Sequence, residues 1–583
     1  MEDTPEESSR RAAWRFLGRC VRSQGRYVVW AVGSGLIWQA AAVAAPLFVQ
    51  RAVDQGIVGG DRRALYLWAG VIVALGAVEV ASWGVRHYLA IRNGTIVEAD
   101  AREEVFGHAL ALDPRYHDRV DPGDLMSRAA IDAGFVRRAV DAMGHMSGFL
   151  LTIVAASALM LTIDLQLALI VLVPLPFLSV AMWLYSARYR TPSRELQEAW
   201  ASASTVVEES VAGVRVVKGL GAGGPLSARF RRSSDRIVDR ALAVAGVDAF
   251  FFPLLELLPM LALVAVLWFG GNRVLEGTLT VGELVALYAY VSLLVWPMRT
   301  LGRRIETLQR ALAGAERITE VLDAEPSLRT SAGQAAPLSR GHVRFDAVSF
   351  GYGQGTPVLD GFDLELAPGE SVALVGPTGS GKTTVAALLA RFYDVDAGAV
   401  SLDGVDVREL PQTAVRRAVS LVFEETFLFT DTVRANIAFA RPEATEAEVE
   451  RAARLAGAHE FVLELPEGYE TLLGERGYSL SGGQRQRIAI ARSLLADPLV
   501  LVLDDATSAV DSTKETEIRE ALAVAMKGRT TQVIAHCPAT IALASRVALL
   551  DEGRIVATGT HAELLARSAR YREVLALDEA EAA

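Results

Sequence analysis

The sequence predicts an α-helical membrane domain with six membrane-spanning helices, followed by an α/β phosphate-loop NTPase domain. Three observations support this prediction: apolar residues crowd into the N-terminal half, short β-rich runs follow, and those runs contain a glycine-rich phosphate-binding motif. Of the 583 residues 51% are hydrophobic, and the mean hydropathy is +0.28. Because the apolar residues lie so unevenly, the composition excludes a purely soluble enzyme.

Charge and cysteine content exclude two further classes of protein. The formal net charge is −11, which argues against a nucleic-acid partner because phosphate backbones attract basic surfaces. The two cysteines, Cys20 and Cys537, lie at opposite ends of the chain and predict no disulfide framework.

The N-terminal segment 1–26 does not resemble a cleavable signal, since acidic residues open it and arginines follow throughout. Trp14, Leu17 and Val21 stand at helical spacing, which favours an amphipathic (elbow) helix on the inner membrane face. An ordinary charged tail is the alternative.

A helix needs about 20 mostly apolar residues to cross a bilayer. Asp164 alone separates the third and fourth segments that meet this requirement, so we expect a tight outer turn there. The six predicted spans, within a membrane domain of residues 27–321, are 27–49, 65–90, 146–163, 165–187, 243–270 and 280–301.

Two long charged segments, 91–145 and 188–242, follow the second and fourth spans. Both are rich in arginine, as is the N-terminal tail, so the positive-inside rule places them and the N-terminus in the cytoplasm of a multi-pass inner or plasma membrane protein. Glu79, Asp248 and Glu256 lie within apolar spans. Three interpretations are open for each of them: contact with a substrate, a hydrogen bond to a neighbouring helix, or a position close enough to the membrane interface to stay hydrated.

Residues 322–341 have the composition of a linker, and residues 342–575 show the alternation of an α/β domain with a largely parallel sheet. Residues 576–583 are a C-terminal tail. The predicted strands are Val343–Phe345, Ser371–Val375, Val419–Val422, Leu499–Leu503, Thr531–Ile534 and Val547–Leu550.

A phosphate-loop motif begins directly after the strand Ser371–Val375 and opens a helix predicted at Val385–Arg391. Its glycines let backbone N–H groups approach phosphate oxygens; Lys382 reaches the outer phosphates, and Thr383 can bind Mg²⁺. The predicted ATP-binding residues of the loop are Gly376, Pro377, Thr378, Gly379, Ser380, Gly381, Lys382, Thr383 and Thr384.

Asp504 ends the apolar strand Leu499–Leu503 downstream of the phosphate loop. A carboxylate in this place holds Mg²⁺ directly or through water in phosphate-loop enzymes. We therefore predict a site for ATP with Mg²⁺.

Between these motifs lies the sequence Leu480, Ser481, Gly482, Gly483 and Gln484. Here the chain resembles the ATP-binding cassette (ABC) transporter family, whose signature motif this is, and the resemblance extends over the whole chain. Physically the motif is a second phosphate cradle at a helix N-terminus. The resemblance implies that it binds the γ-phosphate of ATP held by another subunit, and that the chain couples ATP hydrolysis to transport as an ABC-type translocase.

Other positions match family motifs and take their expected roles from the resemblance. Tyr352 is similar to the aromatic residue that stacks on adenine, although an ordinary strand tyrosine is the alternative. Ser508 and Asp511 match the loop that crosses the dimer interface, and His536 matches the switch histidine that contacts the γ-phosphate. Gly474–Gly477 resembles the exporter loop that touches the membrane domain.

The domain order resembles a half-transporter of the type IV exporter fold. Residues 123–128 and 214–218 match that subfamily, which implies coupling helices at roughly 112–126 and 204–214.

The chain departs from the family at two positions. Asp505 stands where the family has the glutamate that polarises the attacking water, and loss of a methylene withdraws the carboxylate by about 1.5 Å. Glu424 replaces the Q-loop glutamine, a Mg²⁺ contact. Tolerated drift is one explanation of both changes.

The explanation that we prefer is that the chain is the degenerate subunit of a heterodimer that exports an amphipathic drug, lipid or peptide. The chain would lend its signature to a competent site in a sister subunit. Three alternatives stay open: a homodimeric exporter, a siderophore-type importer on an exporter fold, and a membrane-bound regulatory ATPase.

Overall fold

The fold was obtained as a computed structural model, and its described residues form two compact units. The first unit comprises Met1–Ala111 with Asp121–Ala324, and the second comprises Leu112–Val120 with Glu325–Ala583. The residues that the structure describes are 5–328, 338–353, 355–477, 479–505 and 512–581.

The first unit is built from helices, several of which are far longer than a bilayer crossing requires. Two π-helical turns, Ala52–Val58 and Arg128–Asp132, interrupt the α-helical pattern. Its α-helices are α1 (Pro5–Ser23), α2 (Gly25–Arg51), α3 (Arg62–Ala111), α5 (Pro122–Ser127), α6 (Ala133–Ile163), α7 (Leu165–Leu172), α8 (Pro174–Ala212), α9 (Val214–Gly219), α10 (Gly223–Leu275) and α11 (Val281–Leu322).

The predicted spans all lie in these helices. Within the described residues, Gly25–Val58, Arg62–Ala111 and Gly223–Leu275 are long and apolar enough to cross a membrane, by length and composition. The other predicted spans lie on α6, on α7 with α8, and on α11, where Gly148–Ile163 and Val281–Val295 are shorter apolar stretches. The fourth predicted span lies on α7 and α8, which meet at Val173, where the backbone stays in the right-handed helical region (φ −63°, ψ −39°) and Pro174 follows.

Asp164 forms the turn expected between the third and fourth spans. Its backbone is extended (φ −153°, ψ 119°), and its carboxylate accepts a hydrogen bond of 2.8 Å from the N–H of Leu167. Asp164 thus ends α6 and caps α7, as Asp commonly does at a helix N-terminus.

The second long loop differs from expectation. Residues 204–212 are the last turns of α8, and the separate short helix is α9, Val214–Gly219. The predicted coupling helix at 204–214 is therefore wrong in position. The break comes at Gly213, whose backbone (φ −87°, ψ 14°) leaves the α-helical region, as glycine does with little steric cost.

Two hydrogen bonds join membrane helices through the ionisable residues noted in the sequence. The indole of Trp38 on α2 donates to Glu79 on α3 at 3.3 Å, and the hydroxyl of Tyr185 on α8 donates to Asp248 on α10 at 3.0 Å. Helix-to-helix hydrogen bonding is thus present at both positions. Glu256 is exposed.

The described residues of the second unit form two sheets. A six-stranded sheet has the order β10-β9-β3-β8-β7-β6 and is parallel except for the β9–β10 pair. The second sheet, β2-β1-β4-β5, is antiparallel, and of its strands the sequence revealed only the start of β1, at Val343–Phe345. The strands are β1 (Val343–Phe350), β2 (Leu359–Leu366), β3 (Ser371–Val375), β4 (Ala397–Leu402), β5 (Val405–Asp406), β6 (Val419–Val422), β7 (Val500–Asp504), β8 (Thr530–Ile534), β9 (Arg546–Asp551) and β10 (Arg554–Gly559).

Helices cover both faces of the six-stranded sheet. The α-helices of the second unit are α4 (Pro114–His117), α12 (Lys382–Leu389), α13 (Gln412–Ala418), α14 (Val433–Ile437), α15 (Glu446–Leu455), α16 (His459–Leu463), α17 (Gly482–Leu495), α18 (Ser512–Met526), α19 (Pro538–Ile541), α20 (His561–Arg567) and α21 (Ala569–Glu581).

Two of these helices matter for the site. Ala373 of β3 packs in the same apolar cluster as Ile488 of α17, whereas the next residue, Leu374, packs with Val385 of α12. Because successive strand residues point to opposite faces, α17 and α12 lie on opposite faces of the sheet.

Candidate nucleotide-binding site

The phosphate loop connects β3 to α12, and its backbone requires glycine at several positions. Gly379 and Gly381 have φ values of +81° and +106°, in the region that favours glycine. A Cβ on Gly376 would lie 2.1 Å from the carbonyl oxygen of Leu550. The loop therefore has the close-packed, left-handed backbone that lets N–H groups converge on an anion.

Lys382 begins α12 three residues earlier than the helix predicted from Val385. Its side chain is buried, and its ammonium group donates hydrogen bonds of 2.8 Å to the carbonyl oxygens of Gly376 and Pro377. The buried hydroxyl of Ser380 has no hydrogen-bond partner among the described residues. A cationic group and a buried hydroxyl at a helix N-terminus fit a polyphosphate.

Asp504 ends β7 and is buried beside the phosphate loop. Burial raises the pKa of its carboxyl, while a hydrogen bond from the hydroxyl of Thr383 and the charges of Lys382 and His536 oppose that rise. The charge of Glu424 adds to the increase in pKa. The structure thus brings four other sequence-predicted side chains within hydrogen-bonding or electrostatic reach of Asp504.

A hydroxyl and a carboxylate are the hard oxygen ligands that Mg²⁺ prefers, and Mg²⁺ commonly takes only one or two carboxylates together with phosphate oxygens. Thr383 and Asp504 therefore fit this ion. No cluster of three or more His, Cys, Asp or Glu side chains suited to a metal occurs in the described part of the chain. Thr383 and Asp504 would hold Mg²⁺, which would neutralise phosphate charge.

Glu424 is exposed after β6, and the preceding residue, Phe423, stacks on Phe392 with ring centroids 6.3 Å apart. Asp505 follows Asp504 with φ +43°, which is unusual for a residue with a side chain. His536 follows β8 and is half-buried. These three residues lie at the carboxyl ends of adjacent strands, where parallel sheets place ligand sites.

Tyr352 follows β1 and is 51% exposed. Its hydroxyl is hydrogen-bonded to Thr384 of α12 at 3.2 Å. Its ring packs edge-on against Phe350 and Tyr393, with centroids 5.1 and 5.2 Å apart. An aromatic ring that is held by two near-perpendicular ring contacts, and is half exposed beside the phosphate loop, can stack on a planar base.

Ser481 is the N-cap of α17, and the signature motif forms a capping box there. The Ser481 hydroxyl accepts from the N–H of Gln484 at 3.3 Å, and the side chain of Gln484 accepts from the N–H of Ser481 at 2.9 Å. Leu480 is buried, whereas Ser481 is exposed. The motif thus presents a well-formed helix N-terminus, including Gly482 and Gly483, at the surface of the second unit.

The loop Gly474–Gly477 is described, with positive φ values at Arg476 (51°) and Gly477 (66°). Ser508 and Asp511 lie outside the described residues.

Sequence reasoning missed Tyr393 and Asp118. The hydroxyl of Tyr393 donates a hydrogen bond to the carboxylate of Asp118, and the Tyr393 ring supports Tyr352. The sequence carried no signal for this contact, because the two residues are 275 positions apart.

Comparison with known proteins agrees with this geometry. The family model described as the ABC transporter transmembrane region matches residues 30–298, and the model described as ABC transporter matches residues 359–508. Over 534 residues the chain is 37% identical to an ATP-dependent lipid A-core flippase of Chromobacterium violaceum, covering 91% of each protein. The chain belongs to the ABC transporter family.

Two further similarities define the architecture. The chain is 38% identical over 562 residues to a multidrug efflux ATP-binding/permease protein of Mycobacterium tuberculosis, but it spans only 47% of that relative's length. A solved structure of a bacterial Atm1-family ABC exporter with ATP bound superimposes with a TM-score of 0.77 at 30% identity, covering 95% of this chain and 99% of that one. The chain thus has the exporter fold: a transmembrane domain followed by an ABC nucleotide-binding domain.

Proposed function

We propose that this chain is one half of a transporter that uses ATP hydrolysis to export an amphipathic small molecule such as a drug, lipid or peptide. The observation that carries this proposal is the convergence of Lys382, Thr383 and Asp504 at the phosphate loop, in a chain whose other unit is built from long apolar helices. The lipid A-core flippase and multidrug efflux relatives support an amphipathic substrate.

We assign ATP with Mg²⁺ to the site, with Tyr352 on the base and the loop 376–384 on the phosphates. Thr383, Asp504 and Glu424 would face the metal, and His536 would face the γ-phosphate. The N-terminal helix, the long loops and the nucleotide-binding domain would be cytoplasmic, because arginines concentrate there. The proposed parts of the chain are the elbow helix (1–26), the membrane domain (27–321), the linker (322–341), the nucleotide-binding domain (342–575) and the C-terminal tail (576–583).

We infer that a second subunit completes the transporter. The signature helix α17 and the phosphate-loop helix α12 lie on opposite faces of one sheet, which favours a signature, Leu480–Gln484, that serves another chain's nucleotide. Ser508 and Asp511 would lie at that interface. The multidrug efflux relative is about twice as long as this chain, which accords with two such halves acting together.

We further propose that the pair is asymmetric. Asp505 is shorter than the family's glutamate, and its backbone lies in the left-handed region, so its carboxylate is poorly placed to orient water. A heterodimer with a competent sister chain follows. Two alternatives to this heterodimeric exporter are a homodimer with two slow sites and an ATP-driven importer with the same fold.

Direction and composition can be tested in inside-out membrane vesicles. We expect ATP-dependent accumulation of a fluorescent amphipathic dye in vesicles that contain this chain and its sister, and none with Lys382→Ala in both chains. ATP-driven loss of preloaded dye would indicate an importer. Fast ATP hydrolysis by this chain purified alone would contradict the asymmetric pair.

A further inference from the structure

The segment Leu112–Val120 follows the long helix α3 in the chain, yet its contacts place it in the second unit. At its start, Asp113 is buried and accepts hydrogen bonds from the N–H groups of Ser327, at 2.5 Å, and Leu328, at 3.2 Å. Burial opposes ionisation, but a hydrogen bond from the Ser327 hydroxyl, together with those from the N–H groups of Ser327, Leu328 and Tyr116, outweighs it and holds the pKa of Asp113 below its usual value. One end of the segment is therefore firmly anchored.

The other end of the segment is held by Tyr393. The Tyr393 hydroxyl donates to the carboxylate of Asp118, an exposed residue just after α4. Burial and the Asp118 carboxylate both raise the pKa of Tyr393, so the hydroxyl stays protonated and remains a donor at neutral pH. Tyr393 itself is only 9% exposed, which fixes the ring as well as the hydroxyl.

The Tyr393 ring also contacts the nucleotide-binding side chain. It meets Tyr352 edge-to-face, at a centroid distance of 5.2 Å and an interplanar angle of 87°, and it is tilted against Phe350 at 5.5 Å. Tyr352 is in turn hydrogen-bonded to Thr384, two residues after the phosphate-loop lysine. A continuous series of side-chain contacts therefore runs from Asp118 through two tyrosines to α12.

We propose that Tyr393 is a positioning residue that couples the base-stacking side chain Tyr352 to the segment Leu112–Val120. A purine stacked on the exposed face of Tyr352 restricts that ring, and the edge-to-face contact passes the restriction to Tyr393 and Asp118. The inference rests on the proposed adenine contact of Tyr352. Thermodynamic coupling is reciprocal. If ATP binding stabilises the Asp118–Tyr393 contact, an intact contact must therefore increase the affinity for ATP by the same factor.

The test compares a ligand that has a base with one that lacks it. Hydrogen exchange of the backbone amides in 112–120 would be followed in the full-length transporter in lipid nanodiscs, with saturating Mg²⁺–ATP or Mg²⁺–tripolyphosphate. We expect ATP to slow exchange about fivefold or more beyond tripolyphosphate. Tyr393→Phe and Asp118→Ala should each remove this base-dependent difference and weaken ATP binding, while tripolyphosphate affinity stays unchanged.

Matched variants separate coupling from folding. Tyr571 is a fully buried tyrosine of the same unit whose hydroxyl is hydrogen-bonded to His561 at 2.7 Å, so Tyr571→Phe also removes a buried hydroxyl contact. It should leave the base-dependent protection intact. Asp113→Asn should raise exchange of the segment equally with both ligands.

Three results would overturn the proposal. One is equal protection of 112–120 by ATP and tripolyphosphate. A second is undiminished base-dependent protection in both Tyr393→Phe and Asp118→Ala. If Tyr352→Ala weakens ATP binding in the same experiment, the second result rejects the coupling alone. The third result is unchanged ATP affinity in Tyr352→Ala, which would reject both the adenine contact and the coupling that rests on it.

Discussion

The backbone N–H of Asp505 donates a hydrogen bond of 2.9 Å to the carbonyl oxygen of Ile534. This bond continues the β7–β8 pairing one residue beyond Asp504, while the φ of +43° turns the chain out of the strand. Asp and Asn occupy the left-handed region more readily than Glu does. The position that carries the second carboxylate is thus shaped for a short side chain.

We predict that Asp505→Asn will change the steady-state ATPase rate of the assembled transporter little. Asn keeps the length and the backbone preference of Asp and removes only the negative charge. The corresponding Glu→Gln change in the sister chain should lower turnover by about 10²–10⁴-fold, the usual contribution of a general base. Loss of turnover in Asp505→Asn of comparable size would show that this site is catalytic.

Asp505→Glu tests reach separately from charge. The longer side chain should add some hydrolysis at this site, and the left-handed backbone should lower the melting temperature slightly. ATPase rates measured with the sister site inactivated would isolate this effect. Unchanged hydrolysis would point to Glu424 as the limiting residue.

Replacement of Ser481 by Ala should nearly abolish hydrolysis, because the signature is proposed to serve the competent site. The same change removes the cap of α17, which costs about 1 kcal/mol of stability. Thr560→Ala provides the matched control, since Thr560 forms the same capping box at α20. It should lower the melting temperature comparably and leave turnover normal.

Gly482→Asp should be equally damaging for a different reason, because it places a negative charge at a helix N-terminus proposed to bind a γ-phosphate. ATP binding by the isolated chain should survive both signature variants. Near-normal ATPase rates in the assembled transporter would refute the arrangement in trans.

Lys382→Ala should weaken nucleotide binding at this chain's own site. The variant loses a positive charge and both hydrogen bonds to the loop carbonyls of Gly376 and Pro377. Binding of a fluorescent ATP analogue should fall strongly, whereas turnover should fall less than with the sister chain's lysine replaced. Equal and complete loss in both variants would mean that the two sites work alike.

The hydrogen bond between Tyr185 and Asp248 should contribute measurably to stability. Double-mutant cycles of side-chain hydrogen bonds within membranes average about 0.6 kcal/mol, and we expect a coupling of about that size from Tyr185→Phe and Asp248→Asn. Thermal unfolding in lipid nanodiscs would measure it. A zero coupling with altered dye transport would instead support substrate contact by Asp248.

The sequence predicted best where local pattern determines structure. The strands Ser371–Val375 and Val419–Val422 coincide with β3 and β6, because each is an apolar run bounded by polar or turn-forming residues. The antiparallel strand β2 was missed, since charged residues and Gly361 interrupt its apolar positions. Contacts such as Asp118–Tyr393 depend on the folded arrangement and leave no local pattern.

The placement of Leu112–Val120 in the second unit has a consequence for protein synthesis. A ribosome must add 275 residues after Asp118 before Tyr393 exists, which takes about 14–55 s at the usual rate of about 5–20 residues per second. Asp113 lacks its donor groups on Ser327 until that residue has been synthesised, and Asp118 lacks its donor until Tyr393 has followed. The first long loop therefore reaches its final structure only after the nucleotide-binding domain has been synthesised as far as Tyr393, and a chain truncated after residue 324 would leave this loop permanently unfinished.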